Sequence, residues 1–329
     1  MARIVRFHEK GGPEVLKIED VEVPPPGPGE VAVAIKALGL NRAEAMFRSG
    51  PYSEDPVFPA RLGYEAAGVV TALGSGVEGL APGDAVSVIP PSSITRWGAY
   101  GEAGNFPAEF VVKHPPSLSW TEAAAIWMQY VTAYGALVDI ANLGKGDVVA
   151  ITAASSSVGL AAIQIARIVG ATPVAITRTS AKKVPLLGAG AAHVIAGTEE
   201  DVPARLKDIT KGAGVRVVFD PVGGPAFEPL VAAMAPGGIL LVYGALSPEP
   251  TPFPLFPVLT KHLTLRGYIY KEITSHPARL DKARRFILDG LGAGALKPII
   301  AKTFPLDRIV EAHRYLESNA QFGKIVVTV

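Results

Sequence analysis

The stretch Val148-Val149-Ala150-Ile151-Thr152-Ala153-Ala154-Ser155-Ser156-Ser157-Val158-Gly159-Leu160-Ala161-Ala162 decides the fold. An apolar strand ends at Thr152, the small residues Ala153 to Ser157 form a tight turn, and a helix opens at Val158-Gly159. Strand, tight turn and helix in that order are the first unit of a doubly wound α/β sheet. The rhythm continues through Pro173 to Thr177, Ala181 to Leu187, His193 to Ile195, Val215 to Asp220, Phe227 to Met234 and Ile239 to Tyr243. Apolar strands alternate there with helical segments, as a parallel sheet wrapped by helices requires.

The first turn of such a sheet can hold a pyrophosphate, because the helix N-terminus presents unpaired N–H groups and a partial positive charge. Ala154, Ser155, Ser156, Ser157, Val158 and Gly159 are the candidates for that contact. In the Gly-x-Gly-x-x-Gly spacing the glycine positions fall on Ala154, Ser156 and Gly159, and only the last is glycine. Taken alone the turn serves a purely structural purpose equally well. Its context adds weight, since Arg178 closes the second strand 19 residues beyond Gly159, where a ribose-reading side chain is expected. No Asp or Glu stands in Thr177-Arg178-Thr179-Ser180 to accept from a ribose 2′-hydroxyl. Arg178, with Lys182 a turn further on, suits a 2′-phosphate instead, which points to NADPH. The alternative is that Arg178 is a solvated strand-end charge.

The 329 residues suit two domains, at roughly 100–200 residues each. A formal net charge of +1 provides no global field toward nucleic acid or an anionic membrane, so neither is an expected partner. The absence of cysteine removes disulfides, thiolate nucleophiles and thiolate metal ligands together. The opening Met1 to Arg6 has no apolar run behind its charges, and a cytoplasmic protein is expected. The first third reads as β-structure, with apolar runs at Val31 to Leu38, Ala66 to Leu73 and Ala85 to Ile89. Ser119-Trp120-Thr121-Glu122 has capping-box spacing and introduces a helical stretch from Ala123 to about Val138. After Leu265 the pattern is mixed, with helices at Ala278 to Asp289 and Arg308 to Leu316 and a last strand from Lys324. The expected domains are 1–120, 121–265 and a returning tail, 266–329, that completes the first.

Several landmarks spread over the whole chain resemble the medium-chain dehydrogenase/reductases, and specifically their zinc-free quinone oxidoreductase and enoyl reductase branch. They are Gly39-Leu40-Asn41-Arg42-Ala43-Glu44, Leu62-Gly63-Tyr64-Glu65-Ala66-Ala67-Gly68, Pro82-Gly83-Asp84, Val131-Thr132-Ala133-Tyr134, Asp220-Pro221-Val222-Gly223-Gly224 and Gly323-Lys324-Ile325-Val326. The resemblance implies a GroES-like β-rich catalytic domain built from both chain ends, a Rossmann domain between them, and a homodimer paired near Leu263 to Tyr268. Zinc members carry Cys and His where this chain has Asn41 and Tyr64, so no metal is expected. It implies an NADPH-dependent transfer of hydride to a quinone or an α,β-unsaturated carbonyl compound.

By the same resemblance, Asn41 lies beside the nicotinamide and donates to the substrate oxygen, Tyr52 in Ser49-Gly50-Pro51-Tyr52 is a proton donor, and Tyr64 orients the carbonyl. The structural alternatives are an Asx turn at Asn41, a packed rim tyrosine at Tyr52 and space-filling at Tyr64. Glu44 reads as support for these groups. Thr132, Gly244, Ala245, Gly323 and Lys324 are expected cofactor contacts, Lys324 having an exposed cap charge as its alternative. Two rival functions stay open, a non-catalytic NADPH-binding protein and a metal-assisted alcohol dehydrogenase. The six histidines show no ligand-like pair.

Overall fold

The computed structural model describes residues 1–50 and 52–329; Pro51, within the expected Ser49-Gly50-Pro51-Tyr52 stretch, lies outside the described residues. The architecture is mixed α/β, in two compact units: Met1–Met128 with Pro298–Val329, and Gln129–Lys297.

The first unit is built on a seven-stranded sheet. Its strands run in the order Ile300–Pro305, Lys324–Thr328, Glu30–Leu40, Glu65–Leu73, Ala85–Val88 and Val111–Lys113, with Ala103–Pro107 also paired to Glu30–Leu40. The chain's end thus enters its beginning: Lys324–Thr328 runs antiparallel to Glu30–Leu40 with Ile325 opposite Leu40. That register brings Lys324 level with Asn41, the residue that leaves the strand. A second, three-stranded sheet sets Ala2–Phe7 between Lys17–Val21 and Ala60–Arg61. The β-rich reading of this third missed a helix, Arg42–Ser49, which buries Glu44, Ala45, Phe47 and Arg48. Two of those four are charged, so the helix shows no apolar stripe in the sequence.

The second unit holds a parallel sheet of six strands, in the order His193–Ala196, Thr172–Thr177, Val148–Ile151, Val215–Asp220, Met234–Val242 and Thr264–Gly267. Ranked by sequence that order is 3-2-1-4-5-6, the arrangement in which two mononucleotide-binding halves meet at the first strand. Its core packs Ala150, Val174, Ile195, Val218 and Leu240 with helix residues Leu206, Leu230 and Val231. The unit extends past the expected end at residue 265. Helix Pro277–Gly292 stays with it because Arg279 binds Asp139 and the Phe286 ring packs on Tyr134 at 5.1 Å.

The stretch expected as one helix from Ala123 is broken. The capping box forms, Ser119 N donating to Glu122 and Glu122 N to Ser119 Oγ. The helix it starts ends at Ala123, and Trp127–Tyr134 and a π-helical turn at Gly135–Ile140 follow. Ala123 to Trp127 are all buried, so the break has no solvent face to show itself as a change of period. Among the described residues no helix is long and apolar enough to cross a membrane.

Candidate active site

In the first unit, strand Glu30–Leu40 delivers Asn41 to the N-cap of helix Arg42–Ser49, and Glu44 follows one turn later. Glu44 is wholly buried and gathers donors from four directions: Asn41 N at 2.7 Å, Asn41 Nδ2 at 3.3 Å, Tyr64 N at 2.9 Å, and the Tyr100 hydroxyl. Burial still dominates, and pushes the carboxyl up to about 7 against the pull of those bonds and of Lys324. Gly63 explains how Tyr100 gets so close. It sits at φ +107°, and a Cβ there would lie 2.3 Å from the Tyr100 ring, so only glycine admits the contact.

A second buried carboxylate, Glu65, accepts from Met128 N at 3.0 Å and Asn41 Nδ2 at 3.2 Å, and forms an ion pair with Lys324. Lys324 Nζ also donates to Asn41 Oδ1 at 2.6 Å. The Asn41 amide is therefore engaged at both ends, its nitrogen reaching Gly39 O at 3.2 Å as well. The sequence expectation had this amide donating to a substrate and Lys324 touching a cofactor or capping the surface. Here both turn inward, because Lys324 supplies the counter-charge to the buried Glu65 and the Asn41 amide bridges Glu65 and Glu44. Among the described residues no group of three or more His, Asp or Glu is placed to hold a metal ion.

The tyrosines come together. Tyr52 Oη and Tyr64 Oη lie 2.6 Å apart, with Tyr64 fully buried behind a Tyr52 that keeps part of its surface open. The Tyr52 ring packs edge-on to Phe47 at 6.0 Å. Burial raises the Tyr52 phenol above its usual range, the Tyr64 hydrogen bond opposes that, and the charge of Glu44 raises it further.

In the second unit, strand Val148–Ile151 runs into a turn that places Ala153 at φ +45° and ends at Ser156, the N-cap of helix Ser157–Ile168. Ser156 Oγ accepts from Gly159 N at 3.0 Å. A Cβ on Gly159 would sit 2.7 Å from the Ala154 backbone, which is why the last position of the fingerprint keeps its glycine while the other two do not need theirs. Thr177 ends the second strand, and Arg178 and Thr179 after it are exposed. Lys182 reaches back to Ser155 Oγ at 3.2 Å. Burial lowers the Lys182 ammonium, and repulsion from Arg178 lowers it further, so the two cations share one patch beside the turn.

Across the turn, Thr152 Oγ1 bonds Asp220, which also takes Val222 N at 3.0 Å and Gly223 N at 2.8 Å. Gly244 and Ala245 continue from Tyr243, whose ring stacks on Phe219 at 4.0 Å. Thr132 is buried in helix Trp127–Tyr134, whose Tyr130 bonds Gln164 on the helix that follows the turn. Glu65, Tyr100, His313 and Asp220 are polar residues of these clusters that sequence reasoning did not single out. Glu65 and Asp220 lie within the landmark stretches Leu62 to Gly68 and Asp220 to Gly224, whereas Tyr100 and His313 stand in no pattern that marks them.

The sequence pattern described as an alcohol dehydrogenase GroES-like domain matches residues 27–116, and that of a zinc-binding dehydrogenase matches residues 157–288. The 2-haloacrylate reductase of a Burkholderia species is 30% identical over 341 residues, spanning 99% of this chain and 98% of its own. The crystal structure of Escherichia coli quinone oxidoreductase complexed with NADPH superposes with a TM-score of 0.91 at 31% identity, covering 100% of both chains. The chain belongs to the medium-chain dehydrogenase/reductases, in their zinc-free quinone oxidoreductase branch. A solved structure named as an NAD-dependent alcohol dehydrogenase fits this member equally well, with a TM-score of 0.91, 34% identity and 100% coverage of both chains. Overall likeness therefore does not choose the cofactor, and the side chains after Thr177 carry that argument.

Proposed function

We propose that this oxidoreductase is an NADPH-dependent, zinc-independent reductase of quinones or α,β-unsaturated carbonyl compounds. The observation that carries the reading is the Tyr52–Tyr64 hydroxyl pair, a ready proton donor at a position where zinc members hold a metal ligand. When bound, the nicotinamide supplies a hydride to the electrophilic carbon of the substrate. The electron pair displaced from the C=C or C=O bond collects on the substrate oxygen. Tyr52 Oη donates to that oxygen and then transfers its proton, while Tyr64 donates to Tyr52 and stabilises the phenolate until water restores the proton. Asn41 and Lys324 act as positioning residues, holding Glu65 and Glu44 and, through Glu44, the Tyr64 backbone.

The residues of the turn fit the dinucleotide. The close approach at Gly159, the open N-terminus of a 12-residue helix and the small side chains Ala154 to Ser157 suit a diphosphate. Arg178 and Lys182, with no acid beside them in Thr177 to Ser180, suit a 2′-phosphate. Val158, Gly244 and Ala245 complete the proposed contacts, with Thr132 and Gly323 added by family resemblance.

Replacing Arg178 by alanine tests the cofactor choice: the KM for NADPH should rise about tenfold or more, the loss of one charge-assisted contact, and that for NADH should stay nearly constant. Equal losses for both would remove Arg178 from the 2′-phosphate site.

We further propose a homodimer formed across strand Thr264–Gly267. That strand ends the sheet with one side unpaired among the described residues, and Phe253, Leu255, Phe256 and Leu259 nearby are all at least half exposed, an apolar surface that suits a second copy.

A further inference from the structure

We propose that Glu44 governs the acidity of the Tyr52–Tyr64 pair, and that Tyr100, backed by His313, positions Glu44 and sets the point at which it takes up charge. The proposal rests on the reading of Tyr52 as the proton donor.

The geometry is a chain of buried groups. His313 Nε2 lies 3.2 Å from Tyr100 Oη, and when Glu44 is ionised Tyr100 directs its single hydrogen to that carboxylate, which leaves Nε2 as the donor to Tyr100. Glu44 in turn receives the backbone N–H of Tyr64, whose hydroxyl bonds Tyr52. The other charged groups facing this cluster are Lys324, Arg48, Arg42 and Glu54; Arg42 donates to Leu316 O at 2.8 Å, and Glu54, whose charge also raises the Tyr52 phenol, accepts from Ser93 Oγ and from Thr95 N at 3.2 Å. Lys324 is paired with Glu65, and Arg48, one turn along the helix, is held by Glu317 and Gly11 O. Burial, with Arg48 and Arg42 adding repulsion, lowers the His313 imidazole to about 3, so it stays neutral. Glu44, pushed up to about 7, is left to change charge near neutrality.

Its charge has a definite consequence. An ionised Glu44 raises the Tyr52 phenol and opposes negative charge growing on a substrate oxygen beside it. Neutral Glu44 leaves Tyr52 the better donor, so the reductase should slow as pH rises through Glu44's ionisation. The Tyr100 hydroxyl favours the charged form, and removing it moves that ionisation to higher pH.

The test is the pH dependence of kcat/KM for NADPH-driven reduction of a quinone and an enone in the parent enzyme, Glu44→Gln and Tyr100→Phe. The parent should show an alkaline fall near pH 7, absent in Glu44→Gln and displaced upward by about one pH unit in Tyr100→Phe. A fall unchanged in Glu44→Gln, or unmoved in Tyr100→Phe, overturns the proposal. A second measurement needs no turnover. The phenolate absorbance of Tyr52, isolated by subtracting the Tyr52→Phe variant, should titrate at lower pH in Glu44→Gln than in the parent. An unchanged titration also overturns the proposal. Absence of turnover with every quinone and enone would count against Tyr52 as donor, while the phenol titration still decides whether Glu44 controls it.

Discussion

Tyr52 Oη and Tyr64 Oη lie 2.6 Å apart, the inner ring sealed in the core and the outer one partly open. Two phenols at that distance share one hydrogen between them, so one of the pair donates to the other. By family resemblance Tyr64 fills the place of a zinc-ligand histidine in zinc members of the superfamily, and it backs Tyr52, the proposed proton donor.

Tyr52→Phe should lower kcat for enone reduction about a hundredfold or more, the usual weight of a positioned acid, while leaving the Kd for NADPH unchanged. Tyr64→Phe removes only the bond to the departing phenolate and should cost about tenfold. Steady-state rates with NADPH binding followed by fluorescence check both. A larger effect at Tyr64 than at Tyr52 would reverse their roles.

Glu44 also marks the pH dependence of stability. Its folded-state value, about 7, lies above the unfolded carboxyl value, so folding favours the protonated form. The associated stability is complete below the unfolded value and is lost as pH rises through 7. Between about pH 5 and pH 8 the parent protein should lose about 2–3 kcal/mol relative to Glu44→Gln. Denaturant midpoints at several pH values measure this, and parallel curves would contradict it.

The Lys324–Glu65 pair has both side chains buried. Lys324→Met leaves the Glu65 carboxylate in the core without its counter-charge, and stability should fall by about 3–5 kcal/mol. Thermal unfolding is the check. A change within about 0.5 kcal/mol would mean that Lys324 behaves as a surface cap charge.

Phe256→Glu places a charge in the exposed apolar patch beside the edge strand. Sedimentation should find the parent as a dimer and the variant as a monomer with unchanged secondary structure. A monomeric parent would refute the interface.

The second unit was legible because its strands are continuous apolar runs divided by small-residue turns, and buried parallel strands leave that trace. Val215–Asp220 is bounded as its residues suggest, and a small-residue turn stands between strand and helix, though the helix opens at Ser157, one residue before Val158. The first unit was harder to read. Its helix Arg42–Ser49 carries Glu44 and Arg48 inward, and Glu65, Tyr100 and His313 meet only through tertiary contacts far apart in sequence. Asn41 was found by family resemblance, but its inward commitment depends on Lys324, which the pairing of the two chain ends brings alongside. No local spacing encodes that meeting.

The central claim is most directly tested by following NADPH oxidation with a quinone or an enone, and NADP reduction with simple alcohols, both with and without a strong metal chelator. The account predicts NADPH consumption with the quinone or enone at a rate the chelator leaves unchanged, and no turnover of alcohols. Alcohol oxidation that the chelator abolishes, with no reduction of quinones or enones, would contradict it.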